Sequence, residues 1–219
     1  VAELGSAEFD LAAGEESEVA VTGSAGALDP WFPGRPRLYR IRAEVVDSGG
    51  AALDRIEDTF GFREVELRGK NIYINDRRFN FGSVITGGEE SLEATLGEWE
   101  EYNCNTLRLP HGGWNRFFER ERQRATLDFT DREGIAVRMN SQINGMFIDL
   151  ATNNDRFWEN AAHYYRQFIK AYRNHPSIII WTAENELDLI SNMGNKRYSK
   201  EKQWEMMAHA HVVDPTRPV

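Results

Sequence analysis

The chain has 219 residues, 41% of them hydrophobic and 28% charged, with a net charge of −9. This is the balance of a globular protein of one large or two modest domains, and its acidity excludes a nucleic-acid or anionic-membrane partner, because no basic field is there to neutralise phosphates. A single cysteine, Cys104, excludes an intrachain disulfide. No apolar run approaches the ~20 residues of a membrane span, no signal peptide is visible, and the compartment stays open.

Residues 1–62 read as β-structure. "SEVAVTG" (17–23) is a short candidate strand. "LYRIRAEVVD" (38–47) alternates, with Tyr39, Ile41, Ala43 and Val45 on one face and Arg40, Arg42 and Glu44 on the other. That is the period-2 pattern of a half-exposed antiparallel strand. Ser48-Gly49-Gly50 supplies turn chemistry, and "LDRIEDTFGF" (53–62) can return as its partner. These strands are too few for a closed sandwich. "NIYINDRRFNF" (71–81) then reads as a hairpin turning at Asn75-Asp76.

From there strand and helix signals alternate. "FNFGSVI" (79–85), "NTLRLP" (105–110), "IAVRMN" (135–140) and "SIIIWT" (177–182) are the strands. Ser91 can cap a first helix carrying Leu92, Leu96 and Trp99. Residues 115–133 make a second helix stopped by Gly134, residues 155–173 a third, and residues 199–212 a fourth. Phe157, Ala161, Tyr164, Phe168 and Tyr172 form the apolar stripe expected to bury the third. Short, nearly all-apolar strands between helices predict a parallel sheet covered by helices. "GSVITGGEES" after the first strand lacks both GxGxxG and a P-loop lysine, which favours part of a (β/α)8 barrel over a doubly wound nucleotide fold.

Barrel chemistry sits at the C-terminal ends of the strands. Those positions hold Thr86, Glu89 and Glu90; Arg108, His111 and Trp114; Asn140, Gln142 and Asn144; and Glu184, Asn185 and Glu186. No zinc-type Cys/His cluster and no serine nucleophile elbow is among them. Amides and an aromatic platform suit a polyhydroxylated ligand. Carboxylates beside them suit glycosidic cleavage, which uses one Asp/Glu as acid/base and a second as nucleophile or base.

"NHPSIIIWTAENE" (174–186) resembles the acid/base signature of glycoside hydrolase family 2, the β-galactosidase, β-glucuronidase and β-mannosidase family. "WFPGRPRLYRIRAEV" (31–45), "FGFREVEL" (60–67), "NTLRLPH" (105–111) and "DPTRPV" (214–219) resemble further pieces of that family in the same order. The resemblance implies part of an immunoglobulin-like β-sandwich over residues 1–64 and the N-terminal half of a TIM barrel over residues 65–219. It implies Glu186 as general acid/base, and Asn185, Arg108, His111 and Trp114 as substrate-binding residues. Glu184, where the family has a small or amide residue, is expected to form a salt bridge at the barrel rim. His175 is expected to organise the turn before the fourth strand.

The family's nucleophile glutamate, at the end of the seventh strand, would lie beyond residue 219. The chain is therefore expected to be an internal part of a longer retaining enzyme, inactive alone, whose partners are a carbohydrate substrate and the remainder of its own polypeptide. No cofactor and no metal ligand are expected, and "RMNSQIN" (138–144) departs from the acidic run of the galactosidase branch. Two rival readings are another clan-related barrel glycosidase or transglycosidase, and a non-catalytic carbohydrate-binding protein on a degenerate barrel.

Overall fold

The computed structural model describes residues 3–83, 99, 101–109, 120–141, 143, 154–185 and 196–219. Residues 3–30 carry no strand or helix, so the strand expected at 17–23 does not form; its residues are exposed and pair in no sheet. The predicted hairpin follows. Strand β1 (Tyr39–Val46) pairs antiparallel with β2 (Ala52–Phe60), in a register running from Tyr39↔Phe60 to Val45↔Asp54. Only Tyr39, Asp58 and Phe60 of the two strands are partly buried. The rest of the ribbon lies open, with Ile41, Val45, Val46, Leu53 and Ile56 all exposed.

A second antiparallel sheet comprises β3 (Val65–Arg68), β4 (Asn71–Ile74) and β5 (Arg77–Phe79), in that order. Its tight turn uses Asn75 and Asp76 at φ 49° and 62°, the left-handed values that a two-residue hairpin requires and that Asn and Asp tolerate best. The inward side chains Val65, Ile72, Ile74 and Phe79 form one cluster with Trp31, Ala136 and Ile179. Trp31 is completely buried there, and its indole donates to the Asp131 carbonyl at 2.8 Å.

The third sheet is parallel. β6 (Thr106–Leu109), β7 (Ala136–Asn140) and β8 (Ile178–Thr182) lie side by side in chain order. Helix α1 (Arg120–Glu133) lies between β6 and β7 in the chain, α2 (Asp155–Tyr172) between β7 and β8, and α3 (Lys196–Val213) follows β8. Two of the four expected parallel strands are thus recovered in β7 and β8, and β6 matches the described part of "NTLRLP". Of "FNFGSVI", Phe79 belongs to the hairpin, and the first parallel contact is the Ser83↔Thr106 bridge. Residues 84–85 lie outside the described residues. So does most of the helix after Ser91, of which Trp99 and Glu101 are described as helical, with Trp99 buried.

Local signals explain the helix ends. The Asn154 side chain caps α2 by accepting from Arg156 N at 3.0 Å, and Gly134, at φ +72°, turns the chain out of α1. The buried face of α2 differs from the expected stripe. Trp158, Ala162, Tyr165, Ile169 and Tyr172 enter the core with Phe168, whereas Phe157, Ala161 and Tyr164 are only partly buried against it. Both stripes are apolar and adjacent, and the helix seats the one that is a residue further on.

Candidate active site

The site is built where β6, β7 and β8 end. Side chains alternate along each strand. Leu107, Leu109, Val137, Met139 and Trp181 are buried in the helix-covered core. Their neighbours Arg108, Arg138, Asn140, Ile180 and Thr182 share the other face, with Arg108 opposite Arg138, Arg138 opposite Ile180 and Asn140 opposite Thr182. A largely apolar sheet therefore presents, towards the ends of its strands, two guanidiniums, an amide and the Thr182 hydroxyl on one face.

These groups bond to one another. The Arg108 Nη2 donates to the Asn185 side-chain oxygen. Asn140, with its amide oxygen turned to Arg108, accepts from Nε at 2.5 Å and from Nη2 at 3.1 Å, and its nitrogen donates to Thr182 Oγ1 at 3.3 Å. Arg138 Nε donates to the same Thr182 hydroxyl at 3.3 Å. Partial burial, then the neighbouring Arg108 charge, push the Arg138 guanidinium below its ordinary range, and the Glu184 carboxylate pulls it back. The bonds of Arg108 to Asn185 and Asn140 run to amide oxygens.

Backbone bonds fix the strand ends. Ser141 N donates to Thr182 O at 2.8 Å, and Ser141 Oγ donates to Ala183 O at 2.5 Å. Asn185 N donates to Ile143 O at 2.8 Å. Asn185 is buried at 8% exposure, so its amide is held in place just beyond β8.

Of the residues expected from the sequence, the structure brings Arg108 and Asn185 into direct contact. Glu186, His111 and Trp114 lie outside the described residues. Glu184 is half-buried and stands close enough to Arg138 for its charge to be felt. Arg138 and Thr182 escaped the sequence reading. A signal was present: an arginine two residues before Asn140 in an apolar strand shares that residue's face.

The opposite end of β8 is a buried ionic network. His175 Nδ1 lies 2.7 Å from Asp131 Oδ2, and Asp131 Oδ1 accepts from Ser177 N at 2.9 Å. The Thr130 hydroxyl donates to Ser177 Oγ at 3.0 Å. His175 thus does organise the turn before β8. Asp128 brings a second carboxylate near His175, but both Asp131 oxygens are already engaged within the turn. On the other side, Asp214 accepts from the Trp181 indole at 2.8 Å and pairs with Arg217 Nε at 2.7 Å.

Comparison with known proteins decides the family. A model of the family 2 glycosyl hydrolase TIM-barrel domain matches residues 121–219, and a second family 2 glycosyl hydrolase model matches residues 3–63. The chain belongs to glycoside hydrolase family 2. It is 28% identical over 205 residues to a β-galactosidase of Photobacterium profundum, covering 86% of this chain and 18% of that protein. It is 24% identical over 234 residues to a β-glucuronidase of Paenibacillus borealis, covering 94% of this chain and 36% of that protein. Among solved structures, the β-glucuronidase of Bifidobacterium dentium superposes with a TM-score of 0.64 at 25% identity, over 87% of this chain and 31% of that one. The β-glucuronidase of Ruminococcus gnavus, at 22% identity, shares the fold with a TM-score of 0.68, over 89% of this chain and 33% of that one. The chain thus spans between about a fifth and a third of the length of these family members.

Proposed function

We propose that these residues form part of a retaining glycoside hydrolase acting on β-glycosides, with Glu186 as its general acid/base. In this reading residues 65–219 are the first half of a (β/α)8 barrel, and β6–β8 are an arc of its wall. Residues 1–64 belong to an immunoglobulin-like sandwich, which accounts for the open β1–β2 ribbon: its apolar side chains are those a second sheet would cover. The nucleophile is a carboxylate from chain beyond residue 219.

The observation that supports this most is the Arg108–Asn185 contact at the C-terminal end of the sheet. It places an amide, already oriented by a guanidinium, directly beside position 186. An amide so held can bond a sugar hydroxyl next to the scissile bond, while Glu186 protonates the leaving oxygen and, after the glycosyl-enzyme forms, activates water. His111 and Trp114, on the segment following β6, would complete the sugar site with a polar group and a stacking face.

The test uses a polypeptide extended through the remaining barrel strands. It should hydrolyse aryl β-glycosides with retention, and Glu186→Ala with an activated leaving group should accumulate glycosyl-enzyme that azide releases as the β-glycosyl azide. If Glu184→Ala gives the azide product and Glu186→Ala does not, the acid/base has been assigned to the wrong glutamate. Residues 1–219 alone should show no turnover.

A further inference from the structure

β8 contains one residue too many for β7. Val137 N donates to Ser177 O at 2.7 Å, and Ser141 N donates to Thr182 O at 2.8 Å. Four steps along β7, from 137 to 141, are therefore matched by five along β8, from 177 to 182. The register jumps from Val137↔Ile178 to Arg138↔Ile180, and Ile179 has no opposite number. This is a β-bulge, and it has a consequence for the site. With an uninterrupted ladder, Ile179 and Trp181 would stand opposite Arg138 and Asn140, and Thr182 would move to the other face. Asn185 would be displaced along the strand by about one residue, ~3.3 Å, away from Arg108.

Two guanidiniums grip the chain at this bulge. The Ile178 carbonyl, immediately before Ile179, accepts from Arg63 Nη2 at 3.0 Å and from Arg217 Nη1 at 2.8 Å. Arg63 Nε also holds Pro176 O at 3.0 Å. Arg217 Nη1 reaches His175 O at 3.3 Å, and its Nη2 reaches Arg173 O at 2.6 Å. Beyond the bulge, Trp181 is fixed through its indole by Asp214 and through its backbone N–H by Pro218 O at 3.0 Å. The Arg217 guanidinium lies 5.6 Å from the centre of the Trp181 ring. Ile179 itself is fully buried in the cluster around Trp31.

We infer that Arg63 and Arg217 are positioning residues: they lock the bulged register of β8 and so set the height at which Asn185, the residue before Glu186 in the chain, meets Arg108. Arg63 lies just after β2, so the lock ties the strand to the segment carrying the β1–β2 ribbon. Close packing enforces this. A Cβ on Gly61 would stand 3.0 Å from both Pro176 Cγ and Trp31 Cβ, so the segment before Arg63 lies directly against the turn that starts β8. A surface loop could not hold Arg63 over Ile178 in this way.

The inference rests on the hydrolase reading and is tested in the extended polypeptide. Arg63→Met and Arg217→Met should each lower kcat for poor leaving groups by about 10²-fold, the loss expected when a catalytic group is misplaced by ~1 Å, with KM changed less than about threefold. The limb of the pH–rate profile that reports the general acid should move with it. Leu127→Ala, a buried change on α1, serves as the control; at a matched drop in Tm it should leave kcat and the pH profile unaltered. Arg63→Lys keeps the charge but cannot span both carbonyls, so it should lose about tenfold and keeps the test readable if the methionine variants do not fold. Wild-type kcat and pH profile in the arginine variants, or an equal loss in Leu127→Ala, would overturn the register lock. If the unmodified polypeptide cleaves no β-glycoside, the functional reading fails separately. The lock is then judged by hydrogen exchange: the Ser141 and Trp181 amides should exchange faster in Arg63→Met than in Leu127→Ala of equal stability, and equal exchange would overturn it.

Discussion

The two ends of β8 lie within one short strand and solve opposite problems. At the lower end, Asp131, His175, Ser177, Asp214 and Arg217 are buried, and their bonds are turned inward on the fold. At the upper end, Arg108 and Arg138 keep much of their surface in water although the Arg138 guanidinium is partly desolvated; they stand opposite each other on paired strands, and among the described residues they hydrogen-bond amides and a hydroxyl. Burial makes the lower network costly to break, because each removed partner leaves a desolvated group unpaired. In the upper cluster only the amides are buried, while the two guanidiniums keep much of their surface in water, so replacing a guanidinium there should cost less stability. One strand therefore separates what holds the fold from what the fold presents.

The sharpest way to break this comparison is at the upper tip. In the extended polypeptide, Glu186→Ala should lower turnover of substrates with poor leaving groups by ~10²–10⁴-fold, the range of general acid/base assistance, with Tm almost unchanged. Steady-state kinetics and a thermal melt on the same sample check it. Loss of stability without loss of rate would place Glu186 in the structural class and remove the distinction between the two ends.

Next in size is Asp131→Ala at the lower end. It leaves the Ser177 N–H without its acceptor and His175 with only the more distant Asp128 carboxylate at 3.8 Å, and breaking such a buried set costs about 3–5 kcal/mol. For a domain of this size that is a Tm drop of roughly 10 °C. Calorimetry should show that drop, and a Tm within about 2 °C of wild type would mean that the turn before β8 is held by packing alone.

Arg138→Met should act in the reverse sense. Partial burial and the Arg108 charge disfavour the Arg138 cation and outweigh the Glu184 attraction, so an apolar side chain of similar length should leave Tm unchanged or slightly raised. Thr182 loses one of its donors, and kcat/KM should fall about tenfold if that hydroxyl helps to orient the Asn140–Arg108–Asn185 chain. A fall in both quantities would make Arg138 part of the structural network instead.

Which of these features could be read from the sequence follows from their range. The Asn75-Asp76 hairpin and the strands β7 and β8 rest on local turn chemistry and short apolar runs, and they appear where expected. Arg108 and Asn185 were legible as strand-end polar residues, and the structure joins them. The phase of α2 was not, because Phe157 and Trp158 start two equally apolar stripes and only the facing sheet chooses between them. The bulge at Ile179 was not, because "SIIIWT" has no alternation to interrupt. The lower network joins Arg63, Asp131, His175 and Asp214, residues far apart in the chain, and no periodicity carries such a pairing. The strand expected at 17–23 has the right composition but gains no partner strand to bond to.

The smallest expected effect concerns pH and Asp214. Burial pushes its carboxyl upward, but the Arg217 guanidinium and the hydrogen bonds from Thr216 and Trp181 outweigh burial and leave it below the ordinary carboxylate range. A carboxyl whose folded pKa is depressed binds its proton more readily in the unfolded chain. Its contribution to stability is therefore complete above the unfolded value, about 3.9, and is lost as pH falls through the lower folded value. In Asp214→Asn that pH-dependent component is gone, while Trp181 and Thr216 can still bond the amide oxygen. The variant should thus be less stable than wild type at neutral pH, and the difference in Tm should shrink on acidification below the ordinary carboxylate range. Thermal melts of both proteins across that range check the sign. A difference that stays constant with pH would show that Asp214 acts at the lower end of β8 by shape and hydrogen bonding, with its charge contributing nothing.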